Sequence, residues 1–236
     1  MFALLTVSEV QSIQNSAVVK LEDARMSKRR EPQQERAIAR KQRIIDATKL
    51  VLIELGYSKL TLRKIASAAG IGVGTIYDYF PTKFAVVEII LGQRLSEKLD
   101  AFDQAYASVT PENSIAEFIE RYIATVTGGP SAVKLDNALF ASINDDAGLA
   151  KLMNRYQSDT VDRYVAALET AGSTWSRHDL RGAANYLASI ASHFEQNLEK
   201  HRHEGRTQLM QKMVQDTFIA IARSTLKPVS VVKPGR

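Results

Sequence analysis

The sequence predicts an all-α protein, with three short helices near its N-terminal end and a bundle of longer ones behind them. Apolar residues recur at spacings of three, four and seven from about residue 44 to residue 226, the period of a helix with one buried face. Glycine or proline stands where these stripes stop: Gly56, Gly70, Pro81, Pro111, Gly128-Gly129-Pro130 and Gly172. No segment alternates apolar and polar residues strongly enough to read as a strand.

Taken in order, residues 1–25 carry no helical stripe and precede the basic run Met26-Ser27-Lys28-Arg29-Arg30. The opening MFALLTVSEVQ lacks a basic n-region and contains Glu9, which makes it a poor signal peptide. Residues 1–34 are expected to form a flexible basic arm, with Met26 as the native start; mass spectrometry of the native protein checks that start. Lys28–Arg30 and Arg36–Arg43 suit phosphates or a minor groove, and a solubilising tail is the alternative for Lys28–Arg30. The first helix is predicted from about Glu35 to Leu55 on Ile44, Thr48, Val51 and Leu55, flanked by Ile45 and Leu52. Gly56 ends it, and Tyr57 is expected to pack under the next turn.

Thr61–Lys83 is the most informative stretch, reading TLRKIASAAGIGVGTIYDYFPTK. Leu62, Ile65, Ala66 and Ala69 give a second helix one buried face; Thr61 is its N-cap and Gly70 the residue that lets it stop and turn. A third helix starts near Gly72-Val73 and is expected to bury Val73, Ile76 and Phe80. Two short helices joined by a glycine-containing turn make a helix-turn-helix, whose second helix enters the DNA major groove. At 100° per residue Asp78 points almost directly away from the buried face, Gly74 and Thr75 lie on either side of it, and Tyr77 and Tyr79 sit on the flanks. Outward residues meet base edges, and flanking tyrosines can hydrogen-bond phosphates. Gly74 lets the backbone come close, Thr75 can meet a base, and the Tyr77 ring is expected to be half-buried. Asp78, an acid on the groove side, is repelled by phosphate unless it accepts a hydrogen bond from cytosine N4, so it is a candidate base reader; a solvated or Arg/Lys-paired side chain is the alternative. Thr82 can cap the next helix, where the N–H groups beside Lys83 form an anion site.

This segment resembles the DNA-binding signature of the TetR family of bacterial transcriptional regulators. The matching residues are Thr61, Ile65-Ala66, Gly70-Ile71, Val73-Gly74-Thr75-Ile76-Tyr77, Tyr79-Phe80 and Lys83. The likeness covers roughly residues 40–95; the rest of the chain agrees in length and helical pattern. The resemblance implies that the DNA contacts come from Thr61, Arg63, Gly72, Val73, Gly74, Thr75, Tyr77, Asp78, Tyr79 and Lys83. A solvated charge remains the alternative for Arg63. Asp78 departs from the family pattern, which often has a basic or neutral polar residue there.

Charge agrees with this placement. Residues 26–83 hold 12 Lys and Arg against five Asp and Glu, a net +7, whereas the whole chain carries +5. The excess positive charge thus surrounds the helix-turn-helix, as phosphate binding requires.

A helix-turn-helix domain is placed at residues 35–84, a helical domain at 85–227 and a tail at 228–236. The fourth helix carries Phe84, Val87, Leu91, Leu95, Leu99, Phe102 and Tyr106 and closes at Ser108–Pro111. Ile115, Phe118, Ile119, Tyr122, Ile123 and Val126 mark the next, and a shorter one runs from about Ser131 to Ile143. Leu149, Leu152, Met153, Tyr156, Thr160, Tyr164, Ala167 and Leu168 mark a long helix. Leu180, Ala183, Ala184, Leu187, Ile190, Ala191, Phe194 and Leu198 mark another, and a last runs from about Thr207 to Leu226. By resemblance this is a ligand-binding and dimerisation domain whose last two long helices pair across a two-fold axis. Gly182, Ala183, Ala184, Ala188 and Ala191 allow close approach, between subunits or within one. Polar or aromatic residues on the buried stripes are the pocket candidates: Tyr122, Tyr156, Tyr164, Asn185, His193 and Trp175, with ordinary packing as the alternative for each.

Several classes of function lack support. The chain has no cysteine, hence no disulfide or thiolate metal site, which suits a cytoplasmic protein. It has no run of 18 apolar residues, so no membrane partner is expected. His193, His201, His203 and Glu204 lack a metal-binding spacing, and no cofactor is expected. The expected function is a DNA-binding repressor: a homodimer on a palindromic double-stranded operator, released by an unidentified small molecule. An enzyme using the helical pocket and a protein-binding adaptor are the competing readings; against the enzyme stand the missing nucleophile motif, nucleotide loop and metal signature.

Overall fold

The computed structural model describes residues 34–107, 117–118, 120–122 and 130–226. The expected arm and tail, and most of the helix expected over Ile115–Val126, lie outside these. No strand occurs among the described residues, as expected. The chain divides into two compact units, Met1–Asp46 and Ala47–Arg236. In the first, residues 34–46 are helical, and the Gln42 amide donates to Asp46 one turn on at 3.0 Å. The helix containing them, α1, spans residues 34–55.

In the second unit the helices follow local signals. α2 is Leu62–Ala69, α3 Val73–Tyr79 and α4 Lys83–Ala107. The α5 helix is described only at residues 117–118 and 120–122; α6 is Pro130–Ile143 and α7 Ala147–Thr170. α8 is Arg177–Gln196, α9 Leu198–His203 and α10 Thr207–Thr225. Proline opens α6, where a missing N–H costs nothing because the first turn has no acceptor for it. Asp146 and Ser176 cap α7 and α8, each accepting a backbone N–H of the first turn. The stripe expected to run through Leu198 breaks one residue earlier. The Asn197 side-chain amide donates back to the His193 carbonyl at 2.9 Å, satisfying a helix end and starting the short α9.

α7 packs against α4, α6 and α8, and α8 also packs against α10. Phe102 of α4 sits at the centre, with the rings of Phe118, Tyr122 and Tyr164 edge-on at centroid distances of 4.9, 5.3 and 5.0 Å. Such edge-to-face geometry sets the positive rim of one ring on the negative face of the next. α4 buries a broader face than expected: Val86, Ile90, Lys98 and Ala101 are buried beside Val87, Leu91, Leu95 and Phe102, whereas Phe84, Leu99 and Tyr106 are half-buried.

Candidate nucleic-acid interface

The local chemistry that shapes the helix-turn-helix is visible bond by bond. The Thr61 hydroxyl accepts the Lys64 N–H at 3.3 Å and so caps α2. At the other end Gly70 adopts φ 65°, ψ 38°, the left-handed conformation that favours glycine. Its N–H reaches Ser67 and the Ile71 N–H reaches back to Ala66 at 3.0 Å, closing the helix and turning the chain. α3 starts two residues later and is held down by Ile76 and Phe80, both buried. Phe80 ends it, its N–H bonded to the Ile76 carbonyl.

On the opposite side α3 presents Gly74, Tyr77 and Asp78 to solvent, with Thr75 and Tyr79 half-buried. Tyr77 is 56% exposed, so its ring stands further out than expected. Val73, expected in the core, is 40% exposed. Its direction differs from that of Ile76 by about 60° at 100° per residue, and as the first residue of a two-turn helix it has no turn above to cover it. A Cβ built on Gly74 meets nothing within 4 Å, so no packing requires glycine there. Thr61, Arg63 and Gly72 are exposed as well.

Beyond α3, the Thr82 hydroxyl accepts the Ala85 N–H and caps α4. The Lys83 ammonium donates to the Tyr57 carbonyl at 2.8 Å and lies 4.1 Å over the Tyr57 ring. Tyr57 therefore packs under the turn, as expected, and does more. Its hydroxyl donates to Asp146 Oδ2 at 2.7 Å. The other oxygen of Asp146 accepts the Gly148 and Leu149 N–H groups at the start of α7. The Tyr57 bond, reinforced by those two N–H groups, holds the Asp146 carboxyl below its ordinary range. Burial, then the bond to Asp146, pushes the Tyr57 phenol well up. Beside them the Phe84 ring leaves no room on Gly148, where a Cβ would lie 2.5 Å from it. Tyr57, Lys83 and Phe84 thus tie the helix-turn-helix to the α6–α7 corner. Nothing in the sequence pairs residue 57 with residue 146; the N-cap preference of Asp146 was the one local clue.

The pocket candidates separate into two groups. Tyr122 and Tyr164 are buried and Tyr156 is half-buried, and the three converge near Glu195. Asn185 and His193 are exposed and line an open cleft of about 300 Å³ between α7 and α8. Both stand about 100° from the buried positions Ala184 and Phe194, enough to leave the stripe. Trp175 is half-buried against the core. Sequence reasoning missed Lys98, which is 2% exposed in the core and pairs with Glu195 at 2.5 Å and Asp136 at 3.3 Å. Asp136 in turn takes two bonds from Arg94, at 2.7 and 3.1 Å. Burial alone lowers the pKa of Lys98, and the two carboxylates more than reverse it, leaving the ammonium fully charged. Among the described residues no group of three His, Asp or Glu could hold a metal ion, and no helix is long and apolar enough to cross a membrane.

Comparison with known proteins places this geometry. Residues 44–89 match the model of bacterial regulatory proteins of the tetR family. The HTH-type transcriptional repressor KstR of Mycobacterium tuberculosis is 38% identical over 74 residues, 30% of this chain and 33% of that protein. The chain thus spans about a third of the length of that relative. The HTH-type transcriptional regulator BetI 2 of Chromohalobacter salexigens is 32% identical over 155 residues, 64% of this chain and 73% of that protein. Among solved structures, a transcriptional regulator from Rhodococcus sp. Rha1 superposes with a TM-score of 0.64 at 13% identity, covering 80% of this chain and 99% of that one. That likeness concerns the fold, while the match to BetI 2 is a sequence relationship that spans most of that protein's length. This chain belongs to the TetR family of bacterial regulatory proteins.

Proposed function

We propose that the protein is a sequence-specific DNA-binding transcriptional regulator, a repressor that leaves a palindromic operator when a small molecule enters its helical bundle. The observation that carries this reading is the outer face of α3. Gly74, Tyr77 and Asp78 are exposed there, opposite the buried Ile76 and Phe80. Arg63, the exposed Thr61 and the first turn of α4 flank that face with phosphate-binding chemistry. Val73 adds an apolar contact for a thymine methyl, for which its exposure suits it. Lys83 has one bond to Tyr57, and two N–H donors remain for a phosphate oxygen.

A single two-turn helix spans too few base pairs for a unique site, so the protein reads DNA as a two-fold pair. The surface that supports pairing lies on α8 and α10. Over its last four turns the exposed side of α8 carries Asn185, Tyr186, Ser189, His193 and Gln196, none of them Lys, Arg, Asp or Glu. Tyr186 is 60% exposed, and on α10 Leu209 and Met213 are 58% and 53% exposed. Large exposed apolar groups of this kind on two packed helices suit a four-helix dimer interface, with the exposed Lys212 and Asp216 of α10 paired to each other at its side. Repression needs no catalytic group, so the protein is read as a regulator and not an enzyme, acting in the cytoplasm where the DNA is. Ligand and operator favour different conformers of the bundle, which makes their coupling reciprocal.

The test is selection from random double-stranded DNA with the purified chain at near-physiological salt. The expected result is an enriched palindrome whose affinity falls steeply with added salt. Weak binding with no enriched sequence overturns the reading and favours a partner protein for the bundle.

A further inference from the structure

Glu195 of α8 has one oxygen engaged and one free. Its side chain is only 10% exposed, and through Oε2 it accepts the Lys98 ammonium of α4 at 2.5 Å. Oε1 takes no hydrogen bond among the described residues, and Glu195 forms part of the wall of a cavity of about 30 Å³ between α7 and α8. A charged acceptor that is nine-tenths buried is costly to keep unless something supplies a donor. The hydroxyls of the same wall are engaged with one another: Tyr122 donates to Tyr156, and Tyr156 is bonded in turn to Thr160. Phe140, Met153 and Ala191 supply the apolar part of the wall.

Volume divides a guest between two spaces. Gln157, Ala188 and Ser192 border both this cavity and the open cleft of about 300 Å³ outside, so the two adjoin. The cavity has room for about one or two heavy atoms, a water or a hydroxyl with its carbon, and the cleft has room for a small body. Among the described residues none that lines the cleft is Lys, Arg, Asp or Glu, and Val161 and Ala188 give it apolar surface. Charge then decides the head. Lys98 and Arg94 face Glu195 and Asp136, so the pairs balance. A carboxylate head is repelled by Glu195. An ammonium head would stand beside Lys98 on one carboxylate and add an unbalanced charge to the core. A carbonyl head has no proton to give. A hydroxyl has one and adds no charge.

We propose that this site takes an uncharged alcohol with an apolar body, whose hydroxyl donates its proton to Glu195 Oε1. The inference rests on the ligand-responsive reading above and names the ligand class. The hydroxyl enters the cavity and the body lies in the cleft. Asn185, Ser189, His193 and Gln196 of the cleft also lie on the α8 face proposed for pairing, so a second copy would cover that body. The carboxylate that takes the new bond also holds Lys98. The guest thus acts one bond away from α4, the helix that follows the recognition helix.

The test uses four probes with one body and different heads: 3-phenyl-1-propanol, 4-phenyl-2-butanone, 3-phenylpropylamine and 3-phenylpropionate. Calorimetric titration of the full chain without DNA, at up to about 5 mM probe, detects dissociation constants into the millimolar range. The alcohol is expected to bind at least about tenfold more tightly than the ketone, the value of one hydrogen bond to a charged acceptor, and more tightly than either charged probe. Ala191→Leu fills the cavity and is expected to abolish the alcohol's heat, a melting curve confirming that the variant folds. In Lys98→Met combined with Glu195→Leu, where acceptor and cation leave together, the alcohol should bind no more tightly than the ketone. In the parent, an alcohol no tighter than the ketone overturns the proposal and leaves Glu195 to a trapped water. Tighter binding of the amine or the carboxylate, or no heat from any probe, overturns it too. So does undiminished alcohol binding in Ala191→Leu, or a preference for the alcohol that survives in the double variant. Because DNA is absent from the titration, failure here is separate from failure of the operator selection. An alcohol that binds but leaves operator affinity unchanged upholds the ligand class and removes the release mechanism instead.

Discussion

Glycine 74 stands in a helix, where it costs about 0.5–1 kcal/mol relative to alanine, and nothing among the described residues needs its missing side chain. The proposed operator contact supplies a use for it. Gly74→Ala is expected to raise the unfolding free energy by up to about 1 kcal/mol while weakening operator binding, because the added methyl holds the helix off the DNA. A variant that binds operator as tightly as the parent would remove this residue from the interface. Asp78, exposed on the same face, is expected to read a cytosine. In a repeat of the DNA selection, Asp78→Ala should relax the preference at one position in each half-site and leave the others intact; an unchanged profile at every position contradicts that role. The outward placement of these two residues was legible in the sequence because a short helix with fixed caps has only one way to lie. The Thr61 hydroxyl and the left-handed Gly70 act within four residues of where they stand, so the pattern carried them. Val73 was misplaced for a related reason: periodicity gives a direction, and it does not say whether anything lies in that direction at a helix end.

At the scale of elements, the two ties across the molecule were not legible, because each joins residues far apart in sequence. Lys98 sits in an apolar stripe where a lysine signals little, until α8 and α6 bring Glu195 and Asp136 to it. Lys98→Met leaves a buried carboxylate without its cation and is expected to destabilise the chain by about 3–5 kcal/mol, whereas Lys98→Met combined with Glu195→Leu should recover most of that loss. Chemical denaturation of the two variants separates the outcomes; equal losses would mean that the pair is not a coupled unit. The tie at the α6–α7 corner has a pH signature. The Asp146 carboxyl is held below the ordinary aspartate value of about 3.9, so its bond from Tyr57 contributes stability above that value and loses it as pH falls through the lower folded value. The melting temperature of Tyr57→Phe should accordingly lie below that of the parent at neutral pH, and the two should converge once the pH is well below about 4. A gap that stays constant down to pH 3 would show that packing of the ring, and not the bond, makes the difference.

For the whole molecule, the architecture was readable from the chain: the helices and most of their limits follow from apolar periodicity and from the stops between them. How the helices meet was not, since packing partners are chosen by shape and by long-range charge. The same holds for assembly. Tyr186 and Met213 look like isolated apolar residues in the sequence, and only the fold puts them on the exposed sides of two helices that pack together. Tyr186→Glu with Met213→Glu places like charges on both copies of the proposed interface. Sedimentation should show the parent as a dimer and the double variant as a monomer, with operator affinity reduced at least about a hundredfold as the second half-site is lost. A double variant that remains dimeric would move the interface elsewhere.

The unbroken course of α4 has a geometrical consequence for such a pair. Its 25 residues extend about 37 Å at 1.5 Å each, and Lys98 lies about 22 Å from the end at Lys83. A tilt of about 5° pivoting at Lys98 therefore carries the Lys83 end about 2 Å sideways. Two-fold symmetry doubles this to about 4 Å between the copies, more than the 3.4 Å that separates successive base pairs. A disturbance too small to disrupt the core is thus large enough, read out on DNA, to put the two recognition helices one base-pair step out of register.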